Sequence, residues 1–383
     1  MTEPLSEAGA LPLRQHTSHQ RLLTPVAVED APKARLDAII VPNGRTAAYL
    51  RHVFAAARDL NAELLLLCSL RAEARLAVEA AERAGVRATA FDVRRLPVSL
   101  VPQFATDTLL RSTRFERRVD TSFKRNLGLL IADLAGWQRI LFLDDDIKLP
   151  RTQDLAGAAG LLDSHTVVGL ANTGMPDNSV VCHAFRDSGG NQGTFIGGGA
   201  LVVGKNSFES FFPNIYNEDW FFLLDGDRLR SSAVTGRAEQ APYDPYRDPR
   251  RARGEELGDT LAEGVFGLLD NGFGLHDATM AYWHEFLADR RKFIQSAIAR
   301  VNGACDIEPA RKARMIAALK AAVGRNLTIS PSLCVDYLRA WQKDCVTWRE
   351  HLQTLRQKHG AATTGSVVAF KTLGIRAFAR RAA

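Results

Sequence analysis

The chain has 383 residues, enough for a substantial core arranged as two domains or as one large domain with a helical appendage. Lys and Arg number 49 against 43 Asp and Glu, and the mild surplus is not gathered into one block, which argues against nucleic acid as a partner. The cysteines (Cys68, Cys182, Cys305, Cys334, Cys345) are odd in number and lack CxxC spacing, which excludes a disulfide framework or a zinc site, and no apolar run reaches secretory or bilayer-spanning length; a cytoplasmic protein is expected.

Residues 1–34 carry Pro4, Pro12 and Pro25 among mixed charges and read as a flexible N-terminal arm. Leu36 to Val41 is apolar and β-branched and is stopped by Pro42, Asn43 and Gly44, which predicts a strand and turn, with a helix over Thr46 to Leu60. Glu63 to Cys68 reads as a second buried strand with Ser69 at its carboxyl end. The helix Arg71 to Ala84 closes on Gly85, and Val86 to Val93 is a third strand with Asp92 near its end. This alternation predicts βαβ units and a parallel sheet. Neither GxGxxG nor GxxxxGK[ST] occurs, so no dinucleotide fingerprint or P-loop is claimed. A helix over Ser122 to Leu134 follows, with Ser122 as N-cap. Lys124 and Arg125 lie near its amino end, where the helix dipole does not favour cations; they are either solvated or reserved for an anionic ligand.

The next stretch, Arg139 to Pro150 (RILFLDDDIKLP), organises the chain: four uninterrupted apolar residues run into Asp144, Asp145 and Asp146. An apolar run of this kind suits a strand covered on both faces, and ligands collect beyond the carboxyl ends of such strands. Three adjacent carboxylates repel one another, and a hard cation such as Mg²⁺ or Mn²⁺, shared with substrate phosphates, relieves that repulsion. The plain alternative is a solvated acidic turn.

Beyond Pro150, Val167 to Leu170 is a short strand, Asn172 to Asn191 is polar and turn-rich, and Thr194 to Val203 holds Gly197, Gly198 and Gly199 inside an apolar run. Consecutive glycines there mark a bulge or a close approach of the backbone to something else. Ile215 to Leu224 predicts a helix capped by Asn217, with Glu218 and Asp219 in its first turn. Residues 238–258, rich in Pro and Arg, read as a mobile loop of the kind that closes over a site. His276 and His284 fall near Asp277 and Glu285, and from Ala288 the chain is helical. The tail Ser366 to Ala383 carries Lys371, Arg376, Arg380 and Arg381 among apolar residues and no acid. It reads as a weak, salt-sensitive contact with an anionic membrane surface or as a packed C-terminal helix.

Taken together, KRNLGLLIADLAGWQRILFLDDD, FIGGGALVV and NEDWFF in this order resemble a GT-A glycosyltransferase of the family 2-like type, over roughly Leu36 to Phe286. The resemblance implies an α/β fold of GT-A type, a Rossmann-like, mostly parallel sheet flanked by helices, with a helical C-terminal extension. It also implies a nucleotide-sugar-binding half at 35–150, an acceptor-binding half at 151–287 and a helical region at 288–383. The expected activity is transfer of a sugar from a nucleoside-diphosphate donor to an acceptor hydroxyl, assisted by Mn²⁺ or Mg²⁺. By the same resemblance Asp144 and Asp146 match the DxD motif and hold the metal, with His284 completing its sphere and His276 as rival. Pro42, Asn43, Ser69, Asp92, Lys124, Arg125, Asn126, Asp144, Asp145, Gly198 and Gly199 contact the donor. Asp219, beside Glu218, resembles the acceptor base of inverting members. The second strand ends in Cys68 and Ser69 where such enzymes often carry an acid that reads the base, so uracil preference is not implied. Rival readings are a HAD-type phosphatase with Asp144 as nucleophile, which Lys148 disfavours, a nucleotidyltransferase, and a nucleotide-sugar-binding protein without turnover.

Overall fold

The computed structural model describes residues 19–176, 179–359 and 365–382. The first half contains β1 (Thr24–Pro25), β2 (Ala38–Asn43), α1 (Arg51–Leu60), β3 (Glu63–Cys68), α2 (Ala74–Arg83), β4 (Ala88–Asp92), α3 (Ala105–Leu110), α4 (Thr121–Ala135), β5 (Arg139–Leu143) and β6 (Ile147–Lys148). It continues with α5 (Asp154–Gly160), β7 (Val167–Asn172), α6 (Val180–Asp187), β8 (Ala200–Gly204), α7 (Glu218–Phe222), β9 (Leu224–Asp225), β10 (Arg228–Leu229) and β11 (Ser232–Gln240). Helices α8 (Pro249–Asp270), α9 (Met280–Gly303), α10 (Pro309–Asn326), α11 (Pro331–His359) and α12 (Ser366–Thr372) follow, and β12 (Arg380–Ala382) ends the described chain.

One mixed, mostly parallel sheet runs β1-β11-β7-β8-β5-β2-β3-β4-β12, with β6 added against β11. Strands β5, β2, β3 and β4 are parallel, β8 is antiparallel between β5 and β7, and β12 is antiparallel on β4. Alternate residues of each central strand enter different cores. Ile40, Leu65, Phe91 and Phe142 pack on one face, while Ile39, Leu66, Leu141 and Leu143 pack on the other. Both faces are covered, which is why these strands read as unbroken apolar runs. Strand β3 coincides with the predicted Glu63 to Cys68, and Gly85 takes the positive φ of +65° that closes α2.

Several expectations are corrected. Residues 1–18 of the expected arm lie outside the described residues, but residues 19–34 belong to the fold. His19 is buried between Glu263 and Asp270 of α8 at 3.2 and 3.3 Å, and Thr24 and Pro25 extend the sheet beside β11. The helix expected from Thr46 begins as a 3₁₀ turn, Ala47–Leu50, before α1. Neither expected N-cap functions as one: the Ser122 hydroxyl donates to the Pro213 carbonyl, and Asn217 is left-handed (φ 61°), its amide donating to Asp259. The expected loop 238–258 is narrowed to residues 241–248, since β11 runs to Gln240 and α8 starts at Pro249. Pro249 opens α8 at a position that suits proline, Asp248 accepts from the Arg250 N–H, and Arg251 pairs with Glu255 one turn on at 2.6 Å.

The tail is also part of the body. Helix α12 packs on α4, Phe370 is fully buried edge-on to Phe91 at 5.0 Å, Ile375 is fully buried, and Arg380–Ala382 pair with β4. Phe370, Leu373 and Ile375 therefore face the core while Val367 is exposed, which favours the packed C-terminal segment over the membrane contact; Ala383 lies outside the described residues. No helix among the described residues is long and apolar enough to cross a membrane.

Candidate active site at the carboxyl end of the central strand

Strand β5 delivers Asp144 to the floor of a cleft with about 180 Å³ of space open to water-sized molecules. The antiparallel register of β5 on β8 pairs Leu143 with Ala200, and the Asp144 N–H donates to the Gly199 carbonyl at 2.9 Å. The glycine turn is thereby held against the acids. It precedes β8 rather than interrupting it, and its purpose is close approach: a Cβ on Gly198 would lie 2.4 Å from Nη1 of Arg125.

Arg125, buried in the first turns of α4, is the hub. Its Nη1 donates to Glu218 at 2.7 Å, its Nη2 to both oxygens of Asp144 at 3.1 Å, and its guanidinium lies 5.5 Å from the Phe212 ring centroid. Burial alone would lower its pKa, but Asp144, Glu218 and Asp219 reverse that and raise it, so the cation is permanent. Asp144 is pushed up to about 6: burial raises it, Arg125 opposes, and Asp146 and Asp145 add repulsion. Asp219 sits at the cleft wall with Oδ2 accepting from the Gly198 N–H at 2.6 Å and Oδ1 from the Trp220 N–H at 3.0 Å. Arg125, Asp144, the glycine turn, Glu218 and Asp219, scattered over the sequence, thus meet in one place.

The other expected residues divide. Asn43 ends β2 and Ser69 follows the last residue of the adjacent β3; the Asn43 amide donates to Cys68 Sγ at 3.7 Å, while Asn43 Oδ1 and Ser69 Oγ are buried with no hydrogen-bond partner. Pro42 lies inside β2, opposite Leu67, rather than ending it. The Lys124 amine donates to the Asn43 carbonyl at 3.0 Å and pairs with Asp120 at 3.1 Å. Asn126 exchanges two 2.8 Å hydrogen bonds with the Phe212 backbone, and Asp92 accepts from the Ala74 N–H at 2.8 Å, capping α2 from the neighbouring strand. Asp145 is buried and accepts from the Gly44 and Arg45 N–H groups and the Arg45 guanidinium, which fixes the β2–α1 turn. Asn126, Asp145 and Oδ1 of Asp92 are thus bonded to backbone or to that turn.

Asp146 Oδ2 accepts from Arg45 at 2.8 Å and Gln240 at 2.9 Å. Among the described residues no group of three or more His, Cys, Asp or Glu side chains converges as a metal cage. His284 is exposed on α9 and His276 pairs with Asp277 and Asp227 at 3.3 and 3.6 Å, so neither histidine joins the acids in such a group.

Sequence reasoning missed Arg45, Arg117, Tyr216 and Gln240, together with Asp259 and Glu263, which α8 presents to the cleft one turn apart. Arg45 had a signal, following Pro42-Asn43-Gly44 at a strand end; Gln240 had none. Arg117 lines the cleft with a loose 3.7 Å pairing to Glu218. Buried partners hold the two α8 acids: Asp259 takes Arg290 at 2.5 Å and Glu263 takes His19.

No protein-family model matches the sequence, and no curated protein matches it. Among solved structures the chain is similar to a mannosyltransferase from Pyrobaculum calidifontis solved in complex with GDP-Man and Mn²⁺. The TM-score is 0.42 and the identity 15%, over 82% of this chain and 90% of that one. At this level of likeness no residue role is carried from that protein to this chain.

Proposed function

We propose that the chain is a glycosyltransferase of the GT-A kind, family 2-like, that moves a sugar from a nucleoside-diphosphate donor to an acceptor hydroxyl. The observation that carries the reading is the single buried guanidinium of Arg125, which ties a strand-end acid, a glycine turn and a carboxylate pair into one cleft. Residues 35–150 would form the donor half, with the unpartnered Asn43 and Ser69 atoms offered to the nucleoside, and residues 151–287 the acceptor half. Arg117, the loosely paired cation of the cleft, is free to turn to the diphosphate, where guanidinium groups bind two oxygens at once.

Asp144 and Asp146 would hold Mn²⁺ or Mg²⁺. Their hard oxygens suit such an ion, which binds through one or two carboxylates and takes its remaining ligands from phosphate and water, so a protein cage is not required. When bound, the ion supplies Lewis-acid stabilisation of the departing diphosphate. Asp219 takes the proton from the acceptor hydroxyl; the Gly198 and Trp220 N–H groups fix the orientation of its carboxylate. A base acting opposite the leaving group inverts the anomeric centre.

The test is a thermal-shift screen of UDP-, GDP-, dTDP- and ADP-sugars with and without Mn²⁺, followed by the product anomer and turnover of Asp219→Asn. We expect one donor to stabilise the protein. The variant should lose roughly two to four orders of magnitude in turnover with donor binding nearly unchanged. A product that retains configuration, with only a small loss in the variant, refutes the base assignment. Stabilisation by none of the donors refutes the function.

A further inference from the structure

A second pocket, sharing no lining residue with the cleft, is walled by Arg114 of the α3–α4 connection, Arg253 of α8, and Lys320 and Arg325 of α10. No acid lines it. None of the four cations forms an ion pair with a described acid, whereas their helix neighbours Arg250, Arg251 and Arg311 all do. Glu255, the acid nearest Arg253 in the chain, is paired with Arg251 at 2.6 Å, and Asp248, which attracts Arg253 only at longer range, has its carboxylate on Arg250 at 2.9 Å. Arg114, Arg253 and Lys320 are exposed, while Arg325 lies 5.1 Å over the Phe115 ring with its Nε buried and unpartnered. Burial, and then repulsion from Arg253 and Arg114, lowers the Arg325 pKa. Small residues keep the pocket open: a Cβ on Gly324 would meet nothing within 4 Å.

Four cations without an ion-pair partner are drawn together from three separate segments; Arg325 is repelled by Arg253 and Arg114, and of the four only Arg325 lies over an aromatic ring, that of Phe115. A ligand with two negative charges and several acceptor oxygens removes that repulsion and suits the guanidinium fork. We propose that this pocket is a binding site for a phosphate-class dianion, supplied as a soluble phosphate or as the phosphomonoester headgroup of a lipid. The site does not depend on the activity of the cleft.

The test titrates inorganic phosphate at low ionic strength into the full chain and into Arg253→Gln/Lys320→Gln, in which two exposed cations are removed and the cleft is untouched. Unfolding of the phosphate-free proteins is recorded alongside, and matching midpoints establish that the variant keeps its fold. Each lost charge-assisted contact weakens binding by roughly tenfold, so the double variant binds about a hundredfold more weakly. Binding by the wild type also falls with added salt. Equal phosphate affinity in the two proteins, or none in the wild type, overturns the proposal. Sedimentation with phosphatidic acid vesicles identifies the source: co-sedimentation of wild type but not variant assigns the headgroup, and phosphate binding without co-sedimentation assigns the soluble ion.

Discussion

Gly198→Ala is the most discriminating perturbation of the cleft. The added methyl would sit 2.4 Å from Arg125 Nη1 and 2.6 Å from Cζ, where ordinary contact begins near 3.4 Å. The guanidinium must therefore retreat by about an ångström, and a side chain pinned at 2.7 Å to Glu218 and 3.1 Å to Asp144 cannot do so with its hydrogen bonds intact. Breaking a buried pair from one side costs about 3–5 kcal/mol. Proton uptake by Asp144, already raised to about 6, offsets part of this, so about 2–3 kcal/mol of lost stability is expected. A displacement of this size in a catalytic constellation lowers turnover roughly a hundredfold. Denaturant unfolding and donor turnover read the two effects. The double variant Gly198→Ala/Arg125→Lys supplies the control: the thinner lysine head relieves the clash, so adding the alanine to Arg125→Lys should cost far less than adding it to the wild type. Unchanged stability and activity in Gly198→Ala, or strict additivity in the double variant, would refute the reasoning.

Asp146→Asn should abolish the metal-dependent part of nucleotide affinity while the fold survives, because Gln240 and Arg45 can still meet the amide oxygen; wild-type activity in excess chelator would remove the metal role. Deleting residues 366–383 strips the fully buried Phe370 and Ile375 and uncovers β4, at about 1.5–3 kcal/mol for each of those side chains, so the truncated chain should unfold at markedly lower denaturant. An unchanged midpoint would contradict the packed tail. His183 is buried with Nε2 2.9 Å from the Tyr243 hydroxyl, and burial above all, with Arg251, Arg186 and Arg311, lowers its pKa to about 4 against the pull of Asp187. The native state therefore holds it neutral while the unfolded chain takes up a proton below pH 6.5, so its contribution to stability is complete above 6.5 and is lost as pH falls to about 4. The wild-type-minus-His183→Gln stability difference should therefore fall as pH drops through that window, whereas a difference independent of pH would place the proton elsewhere.

The sequence alone determined what local physics writes into a run of neighbouring residues. Ile140 to Leu143 and Leu64 to Cys68 are covered on both faces because nothing polar interrupts them, and Gly85 closes its helix because a left-handed residue is needed there. Acids following directly on a buried strand have to emerge at its carboxyl end, so the position of Asp144 was legible, as was the need for backbone at Gly198 to pass close to something. What that something is was not, because Arg125 lies 73 residues away in the chain and comes into reach only through the β5–β8 pairing and the lie of α4.

Only the tertiary structure decided which polar groups line the cleft and which bond to the frame. Asp144, Asp145 and Asp146 are identical in type and adjacent, yet one opens to the cleft, one is enclosed by the Gly44–Arg45 turn and one meets Gln240. The residues 249–258 and 366–382 looked loose or membrane-seeking because charge and proline content are local signals. Their partners, Asp248 and the Arg251–Glu255 pair in one case, Phe91 and β4 in the other, decided instead for helix, turn and sheet. The cation pocket is the extreme case: Arg114, Arg253 and Arg325 are spread over more than half the chain, and their mutual repulsion exists only once α8 and α10 have packed together.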